Sequence, residues 1–320
     1  MDITRRTLLS ASSGFLAASL GGASSLLAQP APAALGRDRL VLLGTKGGPS
    51  VWNDLQTPSC NMIVYDGVPY VIDAGYGVTQ RLLKAKVSLA TLKHIFITHH
   101  HSDHNLELGV LMYNAWVNGL EKNVDVYGPP GIDNLISSFW ESNRIDIDTR
   151  IVDEGRPDVR KLVTPKTYGP GVVMSVPGVK VSALRNVHPP MDDSFALKFE
   201  LGSKTIVFSG DTAYFPPLAD FAKGADILVH EVMYGPAIEN REKLNPNAPA
   251  IVSHLKAAHT LAEDVGRIAT KAKVKKLVLN HFVPPMNPEL TPEVWTKAVA
   301  STYAGDIVVG RDLMEIPLAP

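Results

Sequence analysis

Of its 320 residues only one, Cys60, is a cysteine, so no internal disulfide can form. Cys60 stands just before the apolar run 62–65 and is expected to be a small core residue, not a ligand. The chain also lacks a charge excess: 31 basic residues face 32 acidic ones, for a net charge of −1. A nucleic-acid partner normally demands a basic stripe interleaved with aromatics, and none is visible. Missing too is an apolar stretch long and clean enough to span a bilayer. The segment that comes nearest, running to Leu27, is broken by Ser and Gly and ended by Ala-Pro repeats. No internal linker is long enough to divide domains. With 45% hydrophobic and 20% charged residues, what remains is one globular domain with a sizeable core.

The first residues stand apart from that domain. Thr4-Arg5-Arg6-Thr7-Leu8-Leu9 is a twin-arginine pair followed by a mildly apolar Ala/Ser/Gly/Leu stretch, and Ala31 and Ala33 offer a small-x-small cleavage pattern. Residues 1–33 are therefore expected to be a twin-arginine signal peptide and 34–320 the mature domain, in the periplasm. Ser and Gly weigh against the alternative, an anchoring helix, so no membrane anchor is expected after cleavage. Twin-arginine export carries folded proteins, often already metal-loaded, which suits a chain without disulfides.

What the chain does have is histidine in an informative place. Ten are present, at 94, 99, 100, 101, 104, 188, 230, 254, 259 and 281. Ile95-Phe96-Ile97 reads as a short buried strand and Leu106–Trp116 as a helix. Between them lies His99-His100-His101-Ser102-Asp103-His104, a His-x-His-x-Asp-His turn. Imidazole suits zinc and related divalent ions, and one ion takes only three or four protein ligands. Residues two apart on an extended loop can face one ion, whereas Asp103 and His104, opening the helix, are placed to face a second. The later histidines fall where apolar runs end: Val179–Val187 leads into His188, Ile227–Val229 into His230-Glu231, and Leu277–Asn280 into His281. Thr205–Phe208 leads likewise into Ser209-Gly210-Asp211. Strands that each deliver His or Asp at a terminus are what a metal site on a sheet edge requires.

These motifs resemble the metallo-β-lactamase superfamily of binuclear metal hydrolases, across residues 39–320. Asp73, in Tyr70-Val71-Ile72-Asp73-Ala74-Gly75, is similar to the family's first-motif Asp, which steadies the metal loop. The resemblance implies that His99, His101 and His188 hold one metal, that Asp103, His104 and His281 hold the other, and that Asp211 bridges them. It implies an α+β fold, the four-layer αββα sandwich. The branch containing ribonuclease Z and related arylsulfatases and phosphodiesterases is closer still, on Asp73 to Arg81, His230-Glu231, His259-Thr260 and Leu279-Asn280-His281-Phe282. By that likeness His259 is the acid and Glu231 its orienting partner, so the candidate catalytic residues are Asp103, Glu231 and His259. His259 could otherwise be a helix-entry residue with Thr260 as N-cap. His230 is expected to be structural or to support a ligand, His100 to point away, His94 to be structural, and His254 stays undecided in a loop.

The chemistry implied is a pair of zinc ions, with Mn²⁺ or Fe²⁺ as alternatives, sharing a water that becomes the hydroxide nucleophile. Such ions lie about 3.5–4 Å apart. Together with two carboxylates and the hydroxide they leave about one net positive charge, which favours anionic esters. The expected reaction is hydrolysis of a small-molecule ester, an aryl sulfate or phosphate ester, with a lactone or carboxylic ester as the alternative. A homodimer is compatible with this, and a non-enzymatic metal-binding protein is disfavoured because every ligand position is filled. Lactam-cleaving relatives carry Cys or Ser where Asp211 stands, and flavodiiron-type relatives carry Glu where His101 stands. A recognisable C-terminal thioester-binding domain and a tRNA-gripping arm are not apparent.

Strands are expected near 40–43, 61–65, 69–72, 94–98 and 124–127, then 172–176, 179–187, 195–201, 204–209, 226–230 and 276–280. Helices are expected near 77–86, 103–118, 131–141, 216–223, 260–273 and 291–302. Phe195, Leu197 and Phe199 alternate with other residues as a half-buried antiparallel strand should. Two segments rich in Pro, Gly or Asn are left as excursions: Gly155–Gly178, a plain loop or one that shapes the substrate site, and Asn240–Ser253, a lid candidate.

Overall fold

The computed structural model describes residues 35–51, 56–244, 249–285 and 287–318. The expected leader, 1–33, lies outside the described residues. Runs rich in Val, Ile, Leu and Phe become strands here, because branched and aromatic side chains pack well on a pleated surface. The first sheet holds β1 (Arg39–Gly44), β2 (Cys60–Tyr65), β3 (Val68–Ile72), β4 (His94–Phe96), β5 (Val124–Gly128) and β6 (Val163–Thr167). The second holds β7 (Gly171–Val176), β8 (Val179–Arg185), β9 (Phe195–Leu201), β10 (Lys204–Phe208), β11 (Ile227–Met233), β12 (Lys276–Val283) and β13 (Asp306–Val309). The last strand, β14 (Met314–Pro317), returns to the first sheet beside β1.

The two sheets repeat one plan. β1 to β3 pair antiparallel and β3 to β6 parallel. Likewise β7 to β10 pair antiparallel and β10 to β13 parallel. The tight turn between β2 and β3 uses Asp66 and Gly67, both at positive φ (48 and 71), as a two-residue hairpin requires.

Period-two alternation decides which side chain meets which layer. On β4, Phe96 faces the opposite sheet, where its ring meets Phe199 edge-on at 5.2 Å, while Ile95 faces the helices. On β9, Phe195, Leu197 and Phe199 enter the layer between the sheets and Ala196 faces outward, the alternation expected. Outside the first sheet pack α1 (Val78–Lys84), α3 (Leu108–Val117) and α4 (Ile132–Ser142), burying Leu82, Trp116 and Ile136. Outside the second pack α6 (Pro217–Phe221), α9 (Ala262–Ala272) and α10 (Pro292–Ala300), burying Leu218, Ile268 and Trp295. The result is the four-layer αββα sandwich.

The elements depart from expectation in several places. The helix expected over 103–118 is two, α2 (Ser102–Asn105) and α3. At the break, Glu107 turns its carboxylate back to accept from the N–H groups of Gly77 and Thr79, capping α1. Within the excursion expected over Gly155–Gly178, β7 is the strand expected near 172–176, but β6 was not expected, and together they form one edge of each sheet. Pro165 is tolerated because β6 is an edge strand that needs ladder bonds on one side only. Further, α5 (Arg144–Glu154) was not expected, nor were β13 and β14. Finally, the described residues of Asn240–Ser253 are helical, in α7 (Gly235–Leu244) and α8 (Pro249–Ala258), and His254 sits on α8, not in a loop. Among the described residues no helix is long and apolar enough to cross a membrane.

Candidate metal centre

The carboxyl ends of parallel strands are where open sheets collect ligands, and here both sheets deliver. β3 ends in Asp73, β4 runs into 97–104, β8 leads to His188, β10 to Asp211, and β12 contains His281. Asp73 and His281 both adopt left-handed backbone, φ 65 and 44, which costs a non-glycine residue about 1–3 kcal/mol each. The cost is offset by what the conformations present. Asp73 accepts from the N–H of Thr98 through Oδ1 (2.8 Å) and from His104 Nδ1 through Oδ2 (2.8 Å). One carboxylate therefore ties the metal loop and fixes the tautomer of a ligand, leaving His104 Nε2 free to face the centre. Glycine is required at two turns: a Cβ on Gly75 would lie 2.1 Å from the Asp103 carbonyl oxygen, and one on Gly210 (φ +58) 2.5 Å from that of Phe195.

The side chains singled out by the sequence converge in two groups. Ligand atoms of His99, His101 and His188 lie within 4.8 Å of one another, as do those of Asp103, His104, Asp211 and His281. In the first group His101 Nδ1 is 3.1 Å from His99 Nε2 and 2.9 Å from His188 Nε2. Nitrogens around one tetrahedral zinc, each ~2.0–2.1 Å from it, stand roughly 3.3 Å apart, so the spacing fits. His188 Nδ1–H donates to the Ala258 carbonyl (2.8 Å), which turns its Nε2 inward. In the second group Asp211 Oδ2 is 3.0 Å from His281 Nε2 and 3.3 Å from His104 Nε2. The same oxygen is 3.9 Å from the Nε2 atoms of both His99 and His188. Asp211 thus stands between the groups, placed to bridge.

Electrostatics separate the groups. Burial drives the His99 imidazole well below its ordinary range, lowers His188, and with His188 alongside holds His101 at about 4. Those three present neutral lone pairs. In the second group burial opposes charge but the carboxylates prevail. His104 is raised well above its usual value by Asp211, Asp73 and Asp103, and His281 is raised to about 10 by Asp211 and Asp103. Burial opposes ionisation of Asp211 and Asp103 as well, yet the facing histidines hold both carboxyls well below the usual range. A buried pair of carboxylates demands positive charge, and His104 Nε2 has no hydrogen-bond partner to satisfy it. A divalent ion held by these residues would supply both the charge and the missing partner. The donor set is all nitrogen and oxygen, which suits zinc, manganese or iron.

Beside the ligands, Glu231 Oε1 accepts from the N–H groups of Thr212 (3.1 Å) and Thr260 (3.0 Å) and lies 3.3 Å from His259 Nδ1. The His259 ring is 5.3 Å from that of His188 and 5.5 Å from that of His281, next to both groups. Ligand atoms of His259 also lie within 4.8 Å of Asp211 and His188, and of Glu231 and His281. Thr260 does not cap α9. Its hydroxyl donates to the Thr212 carbonyl, and Leu261 is the N-cap residue. His230 is buried in β11 with Nδ1 2.6 Å from the Glu231 carbonyl, away from the ligand groups. His94 stacks on Tyr70, and His100 contacts the Pro130 carbonyl. Cys60 is buried in the core outside the first sheet.

A cavity of about 410 Å³ opens onto the centre. His101, Asp103, Asp211, His259 and His281 line it together with the apolar Ile251, Leu255, Val283, Pro284 and Pro285. Nothing from 155–178 lines it, so the excursion expected there shapes no cavity wall. The lid candidate does take part, through Ile251, and His254 and Leu255, just beyond it on α8, line the cavity as well. Sequence reading left His254 undecided, although its ring lies 6.1 Å from that of His101, and missed the loop Gly47–Ser50, which also lines the cavity. Two glycines followed by proline after β1 were the available signal for that loop.

A family model described as anti-Pycsar protein Apyc1 matches residues 39–240. Ribonuclease Z of Mycobacterium bovis (strain BCG / Pasteur 1173P2) is 28% identical over 285 residues, covering 88% of this chain and 98% of that protein. Among solved structures, the metallo-β-lactamase fold protein YhfI from Bacillus subtilis is similar with a TM-score of 0.65 and 18% identity, covering 88% of this chain and 99% of that one. Zn²⁺-bound PqqB from Methylobacterium extorquens has a TM-score of 0.60 and 17% identity, covering 88% of this chain and 100% of that one.

Proposed function

The chain belongs to the family described as anti-Pycsar protein Apyc1 and carries the metallo-β-lactamase fold, and from that premise we propose that it hydrolyses small phosphodiesters with two divalent ions, zinc first. It is a metal-dependent hydrolase; the bond cleaved and the number of ions are the proposal. The observation that carries it is the cavity, in which two ligand groups share one space with an apolar wall. Its volume lies within the roughly 300–1,000 Å³ usual for small-molecule sites. A diester carries one negative charge, matching a centre with about one net positive charge, and it keeps an organic arm on each side. One arm can lie on Ile251, Leu255 and Val283 while the phosphoryl group meets the ligands.

His99, His101 and His188 would hold one ion, Asp103, His104 and His281 the other, with Asp211 common to both. Bound there, such ions supply Lewis acidity toward the ester and lower the pKa of water. The protein's own side chains do the rest. Asp73 keeps His104 in the Nδ1–H tautomer, so Nε2 is always presented inward. Glu231, fixed by two backbone N–H groups, holds the Nδ1–H of His259 and leaves Nε2 to deliver a proton to the departing oxygen. Residues of α8 and of the Gly47–Ser50 loop line the cavity beside the ligands. Export to the periplasm through Arg5 and Arg6 is part of the same proposal.

The test is a substrate panel on metal-loaded protein: bis(p-nitrophenyl) phosphate, p-nitrophenyl phosphate, sulfate and acetate, and a homoserine lactone. The diester should show the highest kcat/KM. A faster aryl sulfate, which has the same single charge, would move the assignment to sulfate esters. Faster acetate or lactone turnover would overturn it in favour of a carboxylic esterase or lactonase.

A further inference from the structure

Lys46, just after β1, is one of the largest fully buried side chains, at 2% exposure. Lysine is almost never buried so completely unless its ammonium is paired. Here Nζ donates to the carbonyl oxygens of Gly48 (2.5 Å) and Ser50 (2.7 Å), both on the loop that lines the cavity. Burial pulls the ammonium down from its ordinary pKa, and the carboxylates of Asp103 and Asp312 push it back up. An apolar side chain of similar length would fill this space at lower desolvation cost, so the core alone does not explain the choice.

What the ammonium grips does explain it. The loop contains Gly47 and Gly48, the latter at φ 80, and has little intrinsic stiffness. Two of its backbone N–H groups, and a third bond from Thr45 just before it, tie it to the metal centre. Gly48 N–H donates to Asp103 Oδ2 (2.9 Å), the oxygen that faces His281 Nε2 at 3.3 Å. Gly47 N–H donates to the Phe282 carbonyl (3.2 Å), and Phe282 N–H donates to that of Thr45 (3.0 Å), fixing the backbone next to His281. Thr45 is itself held by Asp312, whose Oδ1 accepts from its N–H (3.0 Å) and hydroxyl (2.8 Å). Asp103 and His281 belong to the same four-residue group. The fixed orientation of His188 and His99 comes from elsewhere, the Ala258 carbonyl and the Thr98 hydroxyl.

We propose that Lys46 is a positioning residue for one half of the metal centre: it locks the Gly47–Ser50 loop so that Gly48 N–H aims Asp103 and the loop backbone braces His281. This rests on the two-ion reading above. Outer groups that orient ligands are worth about 10–100-fold in metal affinity. Removing the ammonium should therefore weaken the ion held by Asp103, His104 and His281 and spare the ion held by His99, His101 and His188.

The experiment is zinc titration of the full chain against a chromogenic chelator, for wild type, Lys46→Met and Lys46→Gln. Wild type should give two dissociation constants. In Lys46→Met one constant should rise about 10–100-fold while the other stays within about threefold. Lys46→Gln, which keeps N–H donors without the charge, should fall between. Unchanged constants in both variants, or equal weakening of both ions, would overturn the role. If Lys46→Met does not fold, the Gln variant decides by the same criterion. A wild type that binds one ion fails the two-ion reading on its own titration. Lys46 is then judged by whether that single constant weakens in Lys46→Gln at an unchanged melting temperature of the metal-free chain.

Discussion

At the scale of single residues, Asp211 is the most exposed to loss. Its Oδ2 lies 3.0 to 3.9 Å from four imidazole nitrogens drawn from both ligand groups. Asp211→Ala should lower the affinity of both ions and cost more than the roughly 10–100-fold associated with an outer ligand partner. Elemental analysis and kcat against His99→Ala and His281→Ala check this; retention of two metals and wild-type kcat would contradict it. His259 gives a different signature. Nitrophenolate leaves unaided near neutral pH, so its ester should lose little rate in His259→Ala. A phenyl or alkyl ester should lose on the order of 10²–10⁴-fold, and Glu231→Gln should show a weaker form of the same slope. A uniform loss across leaving groups would make His259 structural. The ligands were legible in sequence because they fall where apolar runs end, and a strand end is a point in space that several strands can share; His259 and its partner role with Glu231 came from the family likeness. His254 and Lys46 were not legible. His254 sits within α8, where a neighbouring Ser suggested loop, and Lys46 acts through backbone carbonyls, which no side-chain pattern encodes.

At the scale of elements, legibility followed burial. Strands with a face in the inter-sheet layer announced themselves by alternation, as β9 does. α5 did not: only Ile147 is buried, Ile145 and Val152 are 80% and 86% exposed, and ion pairs such as Arg150 with Asp146 lace its surface. A helix without an apolar stripe offers no period to find. β6 failed for a similar reason, since an edge strand with only Val163 fully buried and with Pro165 in it resembles a loop. α8 matters most for function, because it turns Ile251 and Leu255 to the cavity. Ile251 is 41% exposed, so replacing it should disturb substrate more than fold. Ile251→Ala should raise KM for an aryl phosphodiester by about threefold to tenfold, the worth of roughly 1 kcal/mol of apolar contact, with kcat nearly unchanged. Equal KM values for the two proteins would remove α8 from the substrate site.

At the scale of the whole molecule, the proposed export rests on the twin-arginine pair, Arg5 and Arg6. Arg5→Lys with Arg6→Lys should trap precursor in the cytoplasm, and fractionation showing undiminished periplasmic protein would rule that route out. The metal centre, in turn, joins the two sheets. His99, His101, Asp103 and His104 follow β4 of the first sheet, whereas His188, Asp211 and His281 come from the second. An ion bound to His99, His101 and His188 therefore cross-links both halves of the sandwich, and so does one bound to Asp103, His104 and His281. The unfolded chain has no such preformed cluster, so the binding free energy adds to folding stability. Free metal at 1,000 times its dissociation constant contributes about 4 kcal/mol per ion. For a domain of this size that should raise the melting temperature by roughly 5–15 °C. Calorimetry of metal-loaded and chelator-treated protein measures the difference directly. The cross-link also predicts which lesions remove it: Asp211→Ala should melt near the metal-free wild type whether or not metal is added, whereas Ile251→Ala, which touches only the substrate wall, should keep the full shift. A melting temperature indifferent to metal in the wild-type chain would mean that the seven residues close the centre without an ion.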